Sequence, residues 1–243
     1  MHLLKGPMSY KDNIYMFIDF ILSLSFFPSG IKLARFFSIQ GRTAVSERFF
    51  LYSIAKDISM DGDILEIGSF FGGSALALAF GNAASKKKGK LWLIEPDFKP
   101  TKEAFLQMFR EHGLGSDIVL INKKSEEASK ELNVKFRFIF IDGNHEYGRV
   151  KQDIVFCENI LAKGGIIALH NIEMRGVQQA VNELVINSGK FKVLGRFVNT
   201  FYASKDNSKD TKLLIRLNRL SAIRAKCILI AKRLHLYSNN SLL

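Results

Sequence analysis

Cysteine is scarce in this 243-residue chain, which has only Cys157 and Cys227, and it has four prolines. Two distant cysteines without metal-ligand spacing exclude a disulfide framework and a zinc knuckle, and they fit reduced thiols in a cytoplasmic protein. Long apolar runs are missing too. The longest, Ile14 to Phe27 (IYMFIDFILSLSFF), is broken by Asp19 and closed by Pro28, too short for a bilayer span. It reads instead as a buried helix, an interfacial anchor or a cap over a ligand site. Its weak charged flank and the lack of a small-residue cleavage pattern argue against a secretory signal. Repeats and low-complexity tracts are absent. Acidic residues are few, 23 against 35 Lys and Arg, for a formal net charge of +12. That surplus points to an anionic partner: nucleic acid, a membrane surface or an acidic small molecule.

What is present is a globular composition, 47% hydrophobic and 24% charged, suited to one domain with appendages. Residues 1–45 form the apolar N-terminal cap or anchor, 46–204 the central domain, and 205–243 a basic helical extension. Ser204 to Leu243 holds nine Lys or Arg against two Asp. Arg216, Arg219, Lys226 and Arg233 fall on one side if that segment is helical, so it either lies on an anionic membrane or packs its apolar side on the domain.

Within the central domain, apolar runs alternate with helical patterns. Strands are expected at Asp63 to Ile67, Leu91 to Ile94, Ile118 to Ile121, Phe136 to Ile141 and Ile166 to Leu169, with a closing pair over Phe191 to Ala203. Helices are expected over Ser46 to Ile58, Ser74 to Phe80 (ending at Gly81), Thr101 to His112, Ser125 to Leu132, Tyr147 to Leu161 and Gly176 to Asn187. Such alternation predicts an α/β protein with parallel strands, right-handed crossovers and helices on both faces. Ligands in such sheets sit beyond the carboxyl ends of the strands.

The richest stretch is Ile64 to Ser74, ILEIGSFFGGS, a strand, a glycine-rich turn and a helix start. Gly68 permits the sharp turn, and Gly72 with Gly73 open the helix's unpaired N–H groups to a ligand. The dinucleotide fingerprint requires a second glycine where Phe70 stands, and no phosphate-loop lysine follows Gly73, so neither pyrophosphate site is indicated. Glu95 closes the second strand, 22 residues beyond Gly73, about where an acid receives ribose hydroxyls, with Asp97 an alternative carboxylate.

Two polar clusters follow adjacent strands: Asp142-Gly143-Asn144-His145 after the fourth, and His170-Asn171 after the fifth. A carboxylate, an amide oxygen and an imidazole at Asp142, Asn171 and His170 could hold a divalent cation. His145, three residues past Asp142, is the candidate general base, because an imidazole exchanges protons near neutrality. Asp153 is expected to face solvent or pair with a helix neighbour and is assigned no role.

Taken in order, ILEIGSFFGGS, LIEPD, FIFIDGNHEY with VKQDI, and LAKGGIIALHN resemble the class I S-adenosylmethionine-dependent methyltransferases over roughly Ser46 to Ala203. The nearest group is the small-molecule O-methyltransferases of macrolide-sugar and cephalosporin pathways. The resemblance implies a Rossmann-like, doubly wound, seven-stranded sheet, mostly parallel with the last strand antiparallel. It implies that Glu66, Gly68, Ser69, Gly72, Gly73 and Ser74 hold the methionine part of the cofactor, Glu95 the ribose and the region around Ser125 the adenine, with Asp142 beside them. It implies His145 and His170 as catalytic residues, and Mg or Mn on Asp142, His170 and Asn171. The chain departs from metal-dependent relatives by carrying His170 and Asn171 in place of acids.

The function expected is O-methylation of a sugar or other small polar hydroxyl compound by a cytoplasmic protein whose termini could touch a membrane. Two other functions are compatible with the chain. A nucleic-acid methyltransferase would use the positive charge, but no N-P-P-Y-like segment is present and the charge sits in the tail. A cofactor-binding module without catalysis, tethered to a membrane or glycan-assembly complex, would account for the departures at 170 and 171.

Overall fold

The computed structural model describes residues 43–206, together with Ala222 and Lys226. The N-terminal apolar run and nearly all of the basic extension lie outside the described residues. Lys226 is helical and exposed. No helix among the described residues is long and apolar enough to cross a membrane.

The chain runs α1 (Val45–Asp57), β1 (Asp63–Ile67), α2 (Gly73–Ala84), β2 (Leu91–Ile94), α3 (Lys102–Glu111), β3 (Ile118–Ile121), α4 (Ser125–Ala128), β4 (Phe136–Ile141), α5 (Tyr147–Ile160), β5 (Leu161–Leu169), α6 (Arg175–Val181), a π-helical turn (Asn182–Ile186), β6 (Phe191–Phe197) and β7 (Thr200–Lys205). The strands form one seven-stranded sheet in the order β3-β2-β1-β4-β5-β7-β6. Strands β1 to β5 pair in parallel, and β7 lies antiparallel between β5 and β6. This is the expected doubly wound sheet. Its order reverses between β1 and β4, which opens a crevice at their carboxyl ends.

Side chains alternate through the sheet, because successive residues of a strand face opposite sides. Ile64, Phe138, Phe140 and Ala168 join α1, α2 and α3 in one core layer. Leu65, Ile139, Ile141 and Ile167 join α5 and α6 in the other. β4 is buried at every position, as a central strand covered on both faces must be. Its one charged residue, Arg137, is fully buried and donates to Asn82 Oδ1 (2.8 Å) and Ala55 O (3.3 Å). It ties the lower ends of α1, α2 and β4 together.

Four elements differ from their sequence expectation, one of them the helix expected over Gly176 to Asn187, whose second half is the π-helical turn Asn182–Ile186. Helix α2 runs through Gly81 to Ala84, because a side chain at Gly81 would collide with the Tyr52 carbonyl of α1; here glycine serves close helix packing rather than a stop. Helix α4 ends at Ala128, where N–H groups of Lys130 and Glu131 turn to carbonyls three residues back. Strand β5 begins at Leu161, so the Lys163-Gly164-Gly165 turn is a bulge inside the strand, matched by a register shift between Phe136 and Phe138.

Candidate active site

The β1–α2 turn is shaped by steric exclusion. Gly68 has φ +88°, and a Cβ there would strike the backbone of Asp142 and Gly143, so only glycine lets the ends of β1 and β4 close together. Phe70 takes a left-handed φ of +44°, uncommon for a bulky residue. Glu95 holds that conformation from the neighbouring strand: Oε2 accepts from the N–H groups of Ser69 (3.1 Å) and Phe70 (2.9 Å), and Oε1 from Asp97 N–H (2.9 Å). Arg48 of α1 packs its guanidinium against Gly73.

Glu66 lies beneath the turn, fully buried, and accepts from Ser69 Oγ at 2.7 Å. Burial raises its pKa to about 8 against the pull of the Ser69 and Ser74 hydroxyls, and the nearby charges of Asp142 and Glu95 push it the same way as burial.

A second constellation sits at the ends of β4 and β5. His170, buried, directs Nδ1 to Asp142 Oδ1 (3.0 Å) and Nε2 to Glu47 Oε2 (3.1 Å). A carboxylate is an acceptor only, so both ring nitrogens carry protons and His170 is an imidazolium. Burial opposes that charge, but the bonds to Asp142 and Glu47 prevail and lift its pKa to about 10. Asp142 is held below the usual carboxylate range: burial works upward, and the hydrogen bonds from His145 and His170 outweigh it.

Glu47 is a member of this constellation that the sequence reading missed. Its Oε1 accepts from Asn199 N–H (3.0 Å) and Thr200 Oγ1 (2.8 Å), and its Oε2 from Ala44 N–H (3.3 Å) as well as His170. In sequence it looks like an ordinary acid in a first helical turn. Apart from Ala44, its partners lie 123 to 153 residues away, beyond any local pattern.

His145 lines the opening of the same region. Asn199 Nδ2 donates to Asn171 Oδ1 (3.0 Å), and Asn171 Nδ2 donates to His145 Nε2 (2.9 Å). His145 Nε2 also lies 3.5 Å from Asp142 Oδ1, so its tautomer decides the bond: bare, Nε2 accepts from Asn171, and protonated, it donates to Asp142. Asn171 itself takes φ +55°, a conformation asparagine tolerates.

The two constellations share one cavity of about 670 Å³, lined by Gly68, Ser69, Gly73, Ser74, Glu95, Ser125, Asp142, His145, His170 and Asn171. That volume suits a drug-sized ligand or cofactor. Asp153 also lines it, which corrects the expectation of a solvent-facing side chain. It is buried, and burial pushes its pKa up to about 6, although the bond from Ser125 and the charge of Arg149 pull it back. The VKQDI stretch carried the signal: Asp153 lies three residues after Val150 and one before Ile154, on the apolar face of α5.

Asp142, His170 and Asn171 are brought together, yet as donors they do not fit the expected Mg or Mn. His170 presents N–H bonds rather than lone pairs, and Asn171 Oδ1 spends one of its two lone pairs on Asn199. Asp142 is left as the one hard anionic donor of the three. Among the described residues no group of three or more His, Cys, Asp or Glu is arranged to hold a metal ion. A nucleoside sulfonium fits better. The glycine cradle, the acid at the end of β2 and the polar wall at Ser125 and Asp153 all face one space.

The sheet order β3-β2-β1-β4-β5-β7-β6, with β7 antiparallel, is that of the Rossmann-like methyltransferase fold. Residues 65–172 match the sequence family described as a methyltransferase domain. Solved structures with the same fold include the O-methyltransferase NovP, 11% identical with a TM-score of 0.60 over 82% of this chain and 100% of that one. CalS11, a TDP-rhamnose 3′-O-methyltransferase of calicheamicin biosynthesis, is 15% identical with a TM-score of 0.59 over 84% and 99%. TomG from Streptomyces achromogenes, solved in complex with S-adenosylmethionine, is 16% identical with a TM-score of 0.57 over 85% and 93%. No curated protein sequence matches the chain.

Proposed function

We propose that this protein transfers the methyl group of S-adenosylmethionine to a hydroxyl of a small polar acceptor, a sugar or an anionic compound. One observation carries the reading: a single cavity has the glycine turn and Glu95 along one wall and His145 along another. The residues from Glu66 to Ser74 hold the methionine part of the cofactor. Glu95 takes the ribose through Oε1, which accepts one backbone N–H and keeps a further lone pair for a hydroxyl, whereas Oε2 already accepts two. Ser125 and Asp153 form the adenine side.

When bound, the sulfonium supplies an electrophilic methyl group. The protein's own contribution is alignment, which in near-attack geometry is worth roughly 7 to 11 kcal/mol. His145 Nε2 takes the acceptor's proton as Asn171 yields its hydrogen bond, and Asn199 keeps Asn171 oriented throughout. A nucleotide sugar, the substrate class named for CalS11, is one such hydroxyl compound.

Replacing His145→Ala is expected to lower turnover about 10² to 10⁴-fold while calorimetry shows S-adenosylmethionine binding unchanged. The assay uses a panel of nucleotide sugars and hydroxylated small molecules. Wild-type turnover in the variant would remove His145 from the chemistry.

A further inference from the structure

The buried bridge from Glu47 through His170 to Asp142 has a geometry that goes beyond positioning a histidine. Glu47 uses both carboxylate oxygens on fixed partners, Asn199 N–H and Thr200 Oγ1 on one side and His170 on the other. It is therefore held in place by the β6–β7 hairpin and cannot swing toward an ion in the cavity. His170 spans the space between the two carboxylates, with 3.0 Å to Asp142 and 3.1 Å to Glu47. An ion binding Asp142 from that side would have to displace a ring N–H and sit beside a like charge in a buried setting, where repulsion is strong. Asp142, meanwhile, already has the positive neighbour that a half-buried carboxylate needs.

We propose that His170, clamped by Glu47, is a built-in cation that occupies the place of a divalent ion on Asp142, so that this site works without a metal. Glu47 is the positioning residue of the device, and it comes from α1, a helix outside the sheet. The role assigned to the site rests on the methyl-transfer reading, but the test below does not. A protein that fails to bind S-adenosylmethionine would overturn that reading and leave the metal result intact.

The test is titration of the full-length protein with Mn(II), read by the loss of the free-ion electron paramagnetic resonance signal and by thermal melts with and without chelator. The wild type is expected to leave the Mn(II) signal at the level of buffer and its Tm unmoved by Mn(II) or EDTA. His170→Asp, which places a third carboxylate between Glu47 and Asp142, is expected to bind Mn(II) at least about tenfold more tightly and to gain Tm on metal addition. Wild-type protein that takes up Mn(II) with a rise in Tm would overturn the proposal, as would a folded His170→Asp protein with no gain in affinity. Should that variant fail to fold, the wild-type titration still decides.

Discussion

At the scale of single residues, the site is built from buried groups whose charge is set by their neighbours. Glu66 has a folded pKa near 8 against an ordinary 4.5. Between those values the folded protein holds more protons than the unfolded chain, so stability falls as pH rises from 4.5 to 8. His170 has a folded pKa near 10 against 6.5, so its stabilisation is complete below 6.5 and is lost as pH rises toward 10. The two slopes have one sign. Thermal melts between pH 6 and 9 are expected to show a steadily falling Tm. Glu66→Gln keeps an acceptor for Ser69 but has no proton to lose, so its profile should be flatter below pH 8. A level wild-type profile would contradict these assignments.

At the scale of elements, α1 is docked by polar bonds as much as by its apolar face. Glu47→Ala removes acceptors from Asn199, Thr200 and His170 and leaves a buried imidazolium with one partner. Breaking a buried pair in this way costs about 3 to 5 kcal/mol, measurable by urea unfolding. A loss below about 0.5 kcal/mol, the level of an ordinary surface change, would show that α1 does not depend on the bridge. Most elements were legible beforehand because strands β1 to β4 are short apolar runs bounded by Gly, Asp or Lys, a signal contained in the local sequence. Gly81 and the Gly164-Gly165 bulge were misleading for one reason: glycine marks a turn or a close approach, and only the neighbour, Tyr52 in one case and β4 in the other, decides which.

At the scale of the whole molecule, the site follows from topology. The sheet reverses its order between β1 and β4, and the Glu66–Ser74, Glu95, Asp142 and His170 segments all end at that crevice. Their convergence could be read from strand ends alone. The contributions of Glu47 and Asp153 could not, because each depends on how a helix packs over the sheet. The same distinction explains the metal expectation: residue types at 142, 170 and 171 suggested ligands, and a carboxylate from a remote helix turned the imidazole into a cation.

The most direct measurement is a crystal structure of the protein with S-adenosylhomocysteine. Density is expected against the Gly68–Gly73 turn, with ribose hydroxyls within hydrogen-bond reach of Glu95 and the sulfur facing the side of the cavity that His145 lines. An empty crevice at saturating ligand, or a nucleoside bound elsewhere, would contradict the assignment of this cavity to methyl transfer.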